Sequence, residues 1–319
     1  MSLSRRKIVR AGVFAFGTLA LAACHDSTAP LNVTPDQLQS IGESIATEIE
    51  GGITQLTAQD VMSTNGGAPT FARVPRPVAT MFRGLSLNRV ASSASAVAQC
   101  GVASQSPPVD SDGDQVPDNF SVTFSLPACH YQDLTDTYDI TGVLSISDPQ
   151  PGTAGMALNF GLQNFKLAFS GSNGSGYVQR DGSGSVSVSS TGLSQTQHWA
   201  EAGVVTGVAS VNAAINWTAT FAAAQGQSIT AGQALPDGTY QPNGSVTITQ
   251  GNRTATFSLE TKEPLVYSAA CAAGVAQGTS VSPFSSGRVR VTVTSQQVNA
   301  YAEVTYSSCN AATVVLVSQ

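Results

Sequence analysis

From about residue 71 onward, apolar side chains recur at every second position. Phe120, Val122, Phe124 and Leu126 alternate with Ser121, Thr123 and Ser125, and Phe165, Leu167 and Phe169 alternate around Lys166 and Ala168. A period of two puts apolar residues on one face of an extended chain and polar residues on the other, so these runs predict half-buried β-strands. The longest in-phase series is Val211, Ala213, Ile215, Trp217, Ala219, Phe221 and Ala223, opposed by Asn212, Asn216, Thr218 and Thr220. Ser245 to Gln250 and Arg253 to Thr261, joined at Gly251-Asn252, predict a tight hairpin. Val289, Val291 and Val293, then Ala302, Val304 and Tyr306, then Val314 to Val317, predict a closing meander. The breakers Asp148-Pro149-Gln150-Pro151-Gly152, Ser170 to Gly176, Asp181-Gly182 and Pro236-Asp237-Gly238 separate the runs at hairpin-like intervals. No repeat of fixed period is present, which disfavours a propeller or solenoid.

Residues 34–62 follow a different period. Thr34-Pro35-Asp36-Gln37 has the order of a helix start, with Thr as N-cap, Pro at the first helical position and an acid near the positive end of the dipole. Leu38, Ile41, Ile45 and Ile49 follow at spacings of three and four, and Ile53 and Leu56 continue the stripe past Gly51-Gly52. This is one amphipathic helix whose apolar face is suited to packing on a core. The whole predicts a mainly β protein, with one N-terminal amphipathic helix ahead of a single antiparallel β domain over 71–319. So many strands must curl, split into a sandwich or form a partly open barrel. The economical arrangement lays the helix on the concave apolar face.

Residues 2–10 are basic, residues 11–23 are small and apolar, and the segment closes on Leu21-Ala22-Ala23-Cys24. This is the layout of an export signal over 1–23. Leu-Ala-Ala-Cys resembles the bacterial lipobox, in which the Cys thiol receives a diacylglycerol and becomes the first mature residue. The chain thus resembles bacterial envelope lipoproteins. That resemblance implies lipidation of Cys24, anchorage to the membrane through it, and a short tether over 24–33. In such lipoproteins Asp after the Cys favours inner-membrane retention; here the position is His25, which favours the outer membrane. Ser4-Arg5-Arg6-Lys7 also resembles a twin-arginine signal.

Charge alters the picture of partners. Only 11% of the chain is charged, against roughly 25% in an average soluble domain; 39 Ser and 31 Thr supply much of the polar surface instead. Removing residues 1–23 takes four of the 14 basic residues and none of the 20 acidic ones, leaving a net charge of −10. Such a chain is not a nucleic-acid binder. Its expected partners are an envelope protein, a glycan or a hydrophobic molecule. Arg73, Arg76, Arg83 and Arg89 concentrate four of the remaining basic residues before the strands. They read as a neutralising loop or a contact for an acidic partner. With 7% aromatics, the chain lacks the girdles of an outer-membrane barrel.

Beyond Cys24 the cysteines are Cys100, Cys129, Cys271 and Cys309. In an oxidising compartment four thiols predict two disulfides. The favoured pairs are Cys100 with Cys129 and Cys271 with Cys309, because each brackets a short strand-loop-strand unit. No close Cys or His spacing of a zinc site exists.

The segment with the clearest chemistry is Asp110-Ser111-Asp112-Gly113-Asp114-Gln115-Val116-Pro117-Asp118-Asn119. Alternating acids in a turn-prone segment can converge their oxygens on a hard cation. Asp110, Asp112, Asp114 and Asp118 would supply carboxylates to calcium, and Val116 a backbone carbonyl. The segment resembles thrombospondin type 3 calcium loops and, in part, an EF-hand. It departs from them in having Gln115 in place of Gly, Ser121 in place of the bidentate Glu, and no second copy. The expected role of the metal is structural.

Catalytic patterns are weak. There is no G-x-S-x-G or H-E-x-x-H, and the histidines are His25, His130 and His198. His130 could pair with Asp133, Asp136 or Asp139, or stand in a surface loop. His198 with Glu201 reads as a loop or strand edge beside Trp199. The sequence favours a non-catalytic envelope lipoprotein with a structural or binding role. A carrier or chaperone of lipids or other hydrophobic ligands, enclosing them between helix and curled sheet, is the alternative; a glycan hydrolase using scattered carboxylates ranks third.

Overall fold

The computed structural model describes residues 100–318 except 106–107, 114–115, 134–135, 154–155, 172–173, 206–209, 231–232, 252 and 296–298. The export signal, the lipobox with Cys24, the tether, the 34–62 helix, the four arginines from Arg73 to Arg89, and Asp114 lie outside the described residues.

The first strands are β1 (Val102–Ala103), β2 (Phe120–Phe124), β3 (His130–Asp133) and β4 (Asp136–Ser147). Five long strands follow: β5 (Met156–Gly171), β6 (Gly174–Val188), β7 (Gly192–Val205), β8 (Val211–Ala223) and β9 (Gly238–Gln250). After β10 (Arg253–Tyr267) come α1 (Ala269–Gln277), β11 (Phe284–Ser295), β12 (Asn299–Ser308) and β13 (Ala311–Ser318). All thirteen strands form one sheet, in the order β1-β2-β4 and then sequentially to β13, with β3 beside β4. Every pairing is antiparallel. The sheet is not closed: β1 and β13 are its ends.

This follows from the alternation in sequence. Register aligns the apolar positions across the sheet, as in Leu144 with Leu162, Trp199 with Ile215 and Ile215 with Val246. Two large clusters and a small third one, Val293 with Ala300, fill much of the apolar face. One large cluster runs from Val122 and Phe124 through Ile140, Leu144, Phe160 and Leu167 to Trp199; the other runs from Leu193 and Phe221 through Tyr240, Leu265 and Tyr267 to Phe284, Val289, Val304 and Tyr306. Phe221 of β8 and Tyr267 of β10 meet edge to face at 5.7 Å, and Tyr240 of β9 stacks on Phe284 of β11 at 6.0 Å. Each contact passes over an intervening strand, a span of roughly 9.5 Å between backbones in a flat sheet.

Three expectations are corrected. Asp181-Gly182 is not a turn but lies inside β6. Gly182 has φ +139, and a side-chain carbon there would collide with the His198 carbonyl, so the glycine permits close backbone approach within the ladder. Leu126 does not continue its strand: β2 ends at Phe124, and Leu126 is 51% exposed ahead of a cis Pro127. The Cys271 region is a helix rather than a strand-loop-strand unit. Its alanine-rich sequence has high helix propensity. The Ser268 hydroxyl accepts from Cys271 N–H at 3.4 Å, and Gly278, at φ 73, ends the helix with N–H bonds to the carbonyls of Gly274 and Val275.

Both cysteine pairings are those the sequence favours. Cys100 and Cys129 are bonded with Cα atoms 5.1 Å apart, and Cys271 and Cys309 with Cα atoms 5.4 Å apart. The second ties α1 to the turn between β12 and β13.

Candidate functional site

The 110–119 segment connects β1 to β2 and is bracketed by the Cys100–Cys129 bond. Its neck is closed by Asp118 N–H donating to the Val109 carbonyl at 2.9 Å and by Asp148 N–H donating to that of Pro117 at 2.8 Å. Asp118 organises the interior: one carboxylate oxygen accepts from Ser111 N–H at 2.8 Å and the other from the Ser111 hydroxyl at 2.5 Å. These bonds, the hydroxyl's first, hold the Asp118 carboxyl below the usual Asp range. Asp110 accepts from Gly113 N–H at 2.8 Å, and Gly113 has φ +76, which makes the turn that redirects the chain.

The structure thus joins Asp110 and Asp118 in one hydrogen-bonded loop, leaves Asp112 half-buried, and packs Val116 against the first core cluster. Ser121 is absorbed into β2, where its N–H bonds to the Ser104 hydroxyl. Among the described residues no group of three or more His, Cys, Asp or Glu side chains is gathered in a form that could hold a metal. Asp110 and Asp118 spend carboxylate oxygens on bonds within the loop, and carboxylate oxygen is the donor type that a hard cation takes.

His130 begins β3 and meets Asp139 of β4, Nδ1 to Oδ1 at 2.6 Å. The side chains are 47% and 37% exposed, so the contact carries small energetic weight. His198 and Glu201 are both interior to β7 but three residues apart, so they project from opposite faces. His198 bonds to Asn216 on the polar face at 2.8 Å. The sequence spacing of these two residues therefore builds no site.

Two groupings escaped sequence reasoning. On the apolar face, Arg180 of β6 pairs with Glu201 of β7, with Nε to Oε2 at 2.9 Å and side chains 11% and 18% exposed. Beside them Trp199 Nε1 donates to Gln197 at 3.1 Å, and Gln195 is buried. Gln195 and Gln197 stand on β7 between Leu193 of one core cluster and Trp199 of the other. The signal was present in phase: Arg180 stands two residues from Val178, and Glu201 two from Trp199. On the polar face, Glu303 of β12 receives Arg288 at 2.8 Å and Arg290 at 2.8 Å, Arg288 also reaches Glu263 at 2.8 Å, and Arg290 lies 4.1 Å from the Tyr301 ring centre. The Arg290 and Arg288 bonds hold the Glu303 carboxyl below its ordinary range.

No protein-family model matches this chain, and no curated protein or solved structure matches it either.

Proposed function

We propose that the protein is a lipid-anchored component of the bacterial cell envelope whose calcium-stabilised β domain has a structural or binding role and no catalytic activity. The observation that carries this reading is the cysteine pairing. Five cysteines are present, four are joined two by two, and the fifth is Cys24 at the end of the signal-like segment. Disulfides persist in oxidising compartments, and an odd cysteine at the lipobox position is the one a lipid would claim. The outer membrane is the preferred site because His25 follows Cys24.

In this reading the sheet is curled about its apolar face, as the ring contacts between strands two apart favour, and 34–62 is an amphipathic helix. Asp110, Asp112, Asp114, Asp118 and the Val116 carbonyl hold calcium and brace the edge of the sheet near β1 and β2. A second reading, a carrier of lipids or other hydrophobic ligands, draws on Ile215, Trp217, Val246 and Phe257. They lie on the apolar face, Ile215, Trp217 and Phe257 at the margins of the clusters, and are only half-buried.

Fractionation tests the anchor: Cys24→Ser moves the protein out of the membrane fraction, and retention there refutes lipidation. Calcium is tested by melting with the metal and with chelator. Asp112→Ala and Asp114→Ala lower Tm only in calcium; equal losses in both conditions refute the metal. Native mass spectrometry of residues 25–319, which lack the lipidation site, separates the two readings, since a lipid-sized adduct that survives chelation favours the carrier.

A further inference from the structure

The two ends of the sheet are built differently. At one end β1 has two residues and is followed by the disulfide-bracketed loop, so it offers almost no ladder. At the other, β13 runs eight residues from Ala311 to Ser318, pairs with β12 along its length, and has no strand on its outer side among the described residues. Edge strands are normally guarded against pairing by charge, proline, a bulge or shortness. Here residues 304–319 contain no Lys, Arg, Asp, Glu or Pro. Val315 is 54% exposed, and Ala312 and Thr313 are exposed as well. The nearest charge is Glu303, opposite Val315 in the ladder, and it is neutralised by Arg288 and Arg290.

We infer that β13 is a self-association edge, whose partner is β13 of a second copy of this chain in antiparallel register. An unpaired row of backbone N–H and C=O groups fits only another extended chain. Three observations select a second copy. The edge carries no charge, so two copies meet without the repulsion that like charges impose across a ladder. Head-to-tail assembly is disfavoured because β1 is too short to receive an eight-residue strand, which leaves the two-fold arrangement, where one patch meets itself and growth stops at two. The chain just ahead of the described residues suits the edge poorly: 71–99 contains Pro75, Pro77 and four arginines. A two-fold axis normal to the sheet keeps the apolar faces of both copies on one side. Paired residues then share parity, so one position of β13 faces its own equivalent.

The inference does not depend on the anchor or the metal. It is tested on the full chain in mild detergent by analytical ultracentrifugation, together with a cysteine scan of Ala312 to Val317. The expected result is a dimer that Val315→Lys converts to monomer with Tm at or below that of the wild type, that Val315→Thr preserves, and that is trapped covalently by one scanned cysteine. A monomeric wild type overturns it, as does a dimer that Val315→Lys leaves intact or that no scanned cysteine traps.

Discussion

Arg180 and Glu201 face each other across β6 and β7 on the mainly apolar side of the sheet. Both guanidinium bonds go to one oxygen, Oε2. Burying two charges in an apolar environment costs desolvation that their attraction only partly offsets, so the pair adds little net stability while making each member dependent on the other.

The first prediction follows from that dependence. Arg180→Met alone leaves Glu201 as an uncompensated, mostly buried charge and lowers unfolding free energy by about 3 kcal/mol. Glu201→Gln alone behaves similarly. The double variant Arg180→Met with Glu201→Leu recovers most of the loss. Denaturant unfolding of the three variants checks this, and a double variant no better than the singles refutes it.

Gly182 yields the second. A methyl group there meets the His198 carbonyl, and the backbone holds φ at +139, a region that side chains rarely adopt. Gly182→Ala therefore destabilises by about 2 kcal/mol or more. Gly152, in an exposed turn with open space around it, is the control: Gly152→Ala stays within about 0.5 kcal/mol. Thermal melts of the two variants side by side decide the matter.

These residues also mark how far sequence could be read. Alternation fixes a strand because side-chain direction along it is local, so β8 and the β9–β10 hairpin were legible from Val211 and Gly251-Asn252. The disulfide partners were legible from spacing, although the helix around Cys271 was not: Ser268 and the alanines carry no amphipathic period and stand between strong β-runs. Asp181-Gly182 misled because the pair that usually makes a turn was used for close approach inside a strand. The Arg180–Glu201 pair needed register, which is set by partners far along the chain. Half of the acidic loop's logic was legible, since its turn propensity is local, but the use of Asp118 to hold Ser111 depends on the loop's closure against Val109.

A third prediction concerns acid. Glu303 has a carboxyl held below the ordinary Glu range by the Arg290 and Arg288 bonds. A carboxylate with a depressed folded pKa contributes stability that is fully present above its unfolded value and is lost as pH falls through the folded value. Glu303→Gln therefore melts lower than wild type near neutrality, and the two curves converge as acid protonates the wild-type carboxylate. Tm measured from about pH 6 down to about pH 2 tests this; a constant gap across the range refutes it.

The last prediction separates the two disulfides. Cys271 and Cys309 are 38 positions apart, against 29 for Cys100 and Cys129. Loop-closure entropy makes either bond worth about 4 kcal/mol, with little to choose between them on length. Their surroundings differ. Cys309 is also held by its carbonyl, which accepts from the N–H groups of Val281 and Ser282 at 2.9 and 2.8 Å, and Cys271 is buried in a capped helix. The chain around Cys271–Cys309 thus keeps its course when the bond is removed. The chain between Cys100 and Cys129 holds short ladders, two residues in β1 and five in β2, so its course depends more on the bond. Cys100→Ser with Cys129→Ser therefore frees residues 100–119 locally, seen as rapid amide exchange there with the rest protected, whereas Cys271→Ser with Cys309→Ser lowers global Tm without selective exchange. Hydrogen exchange on both double variants distinguishes these outcomes, and uniform loss of protection in the Cys100 and Cys129 variant refutes the local role.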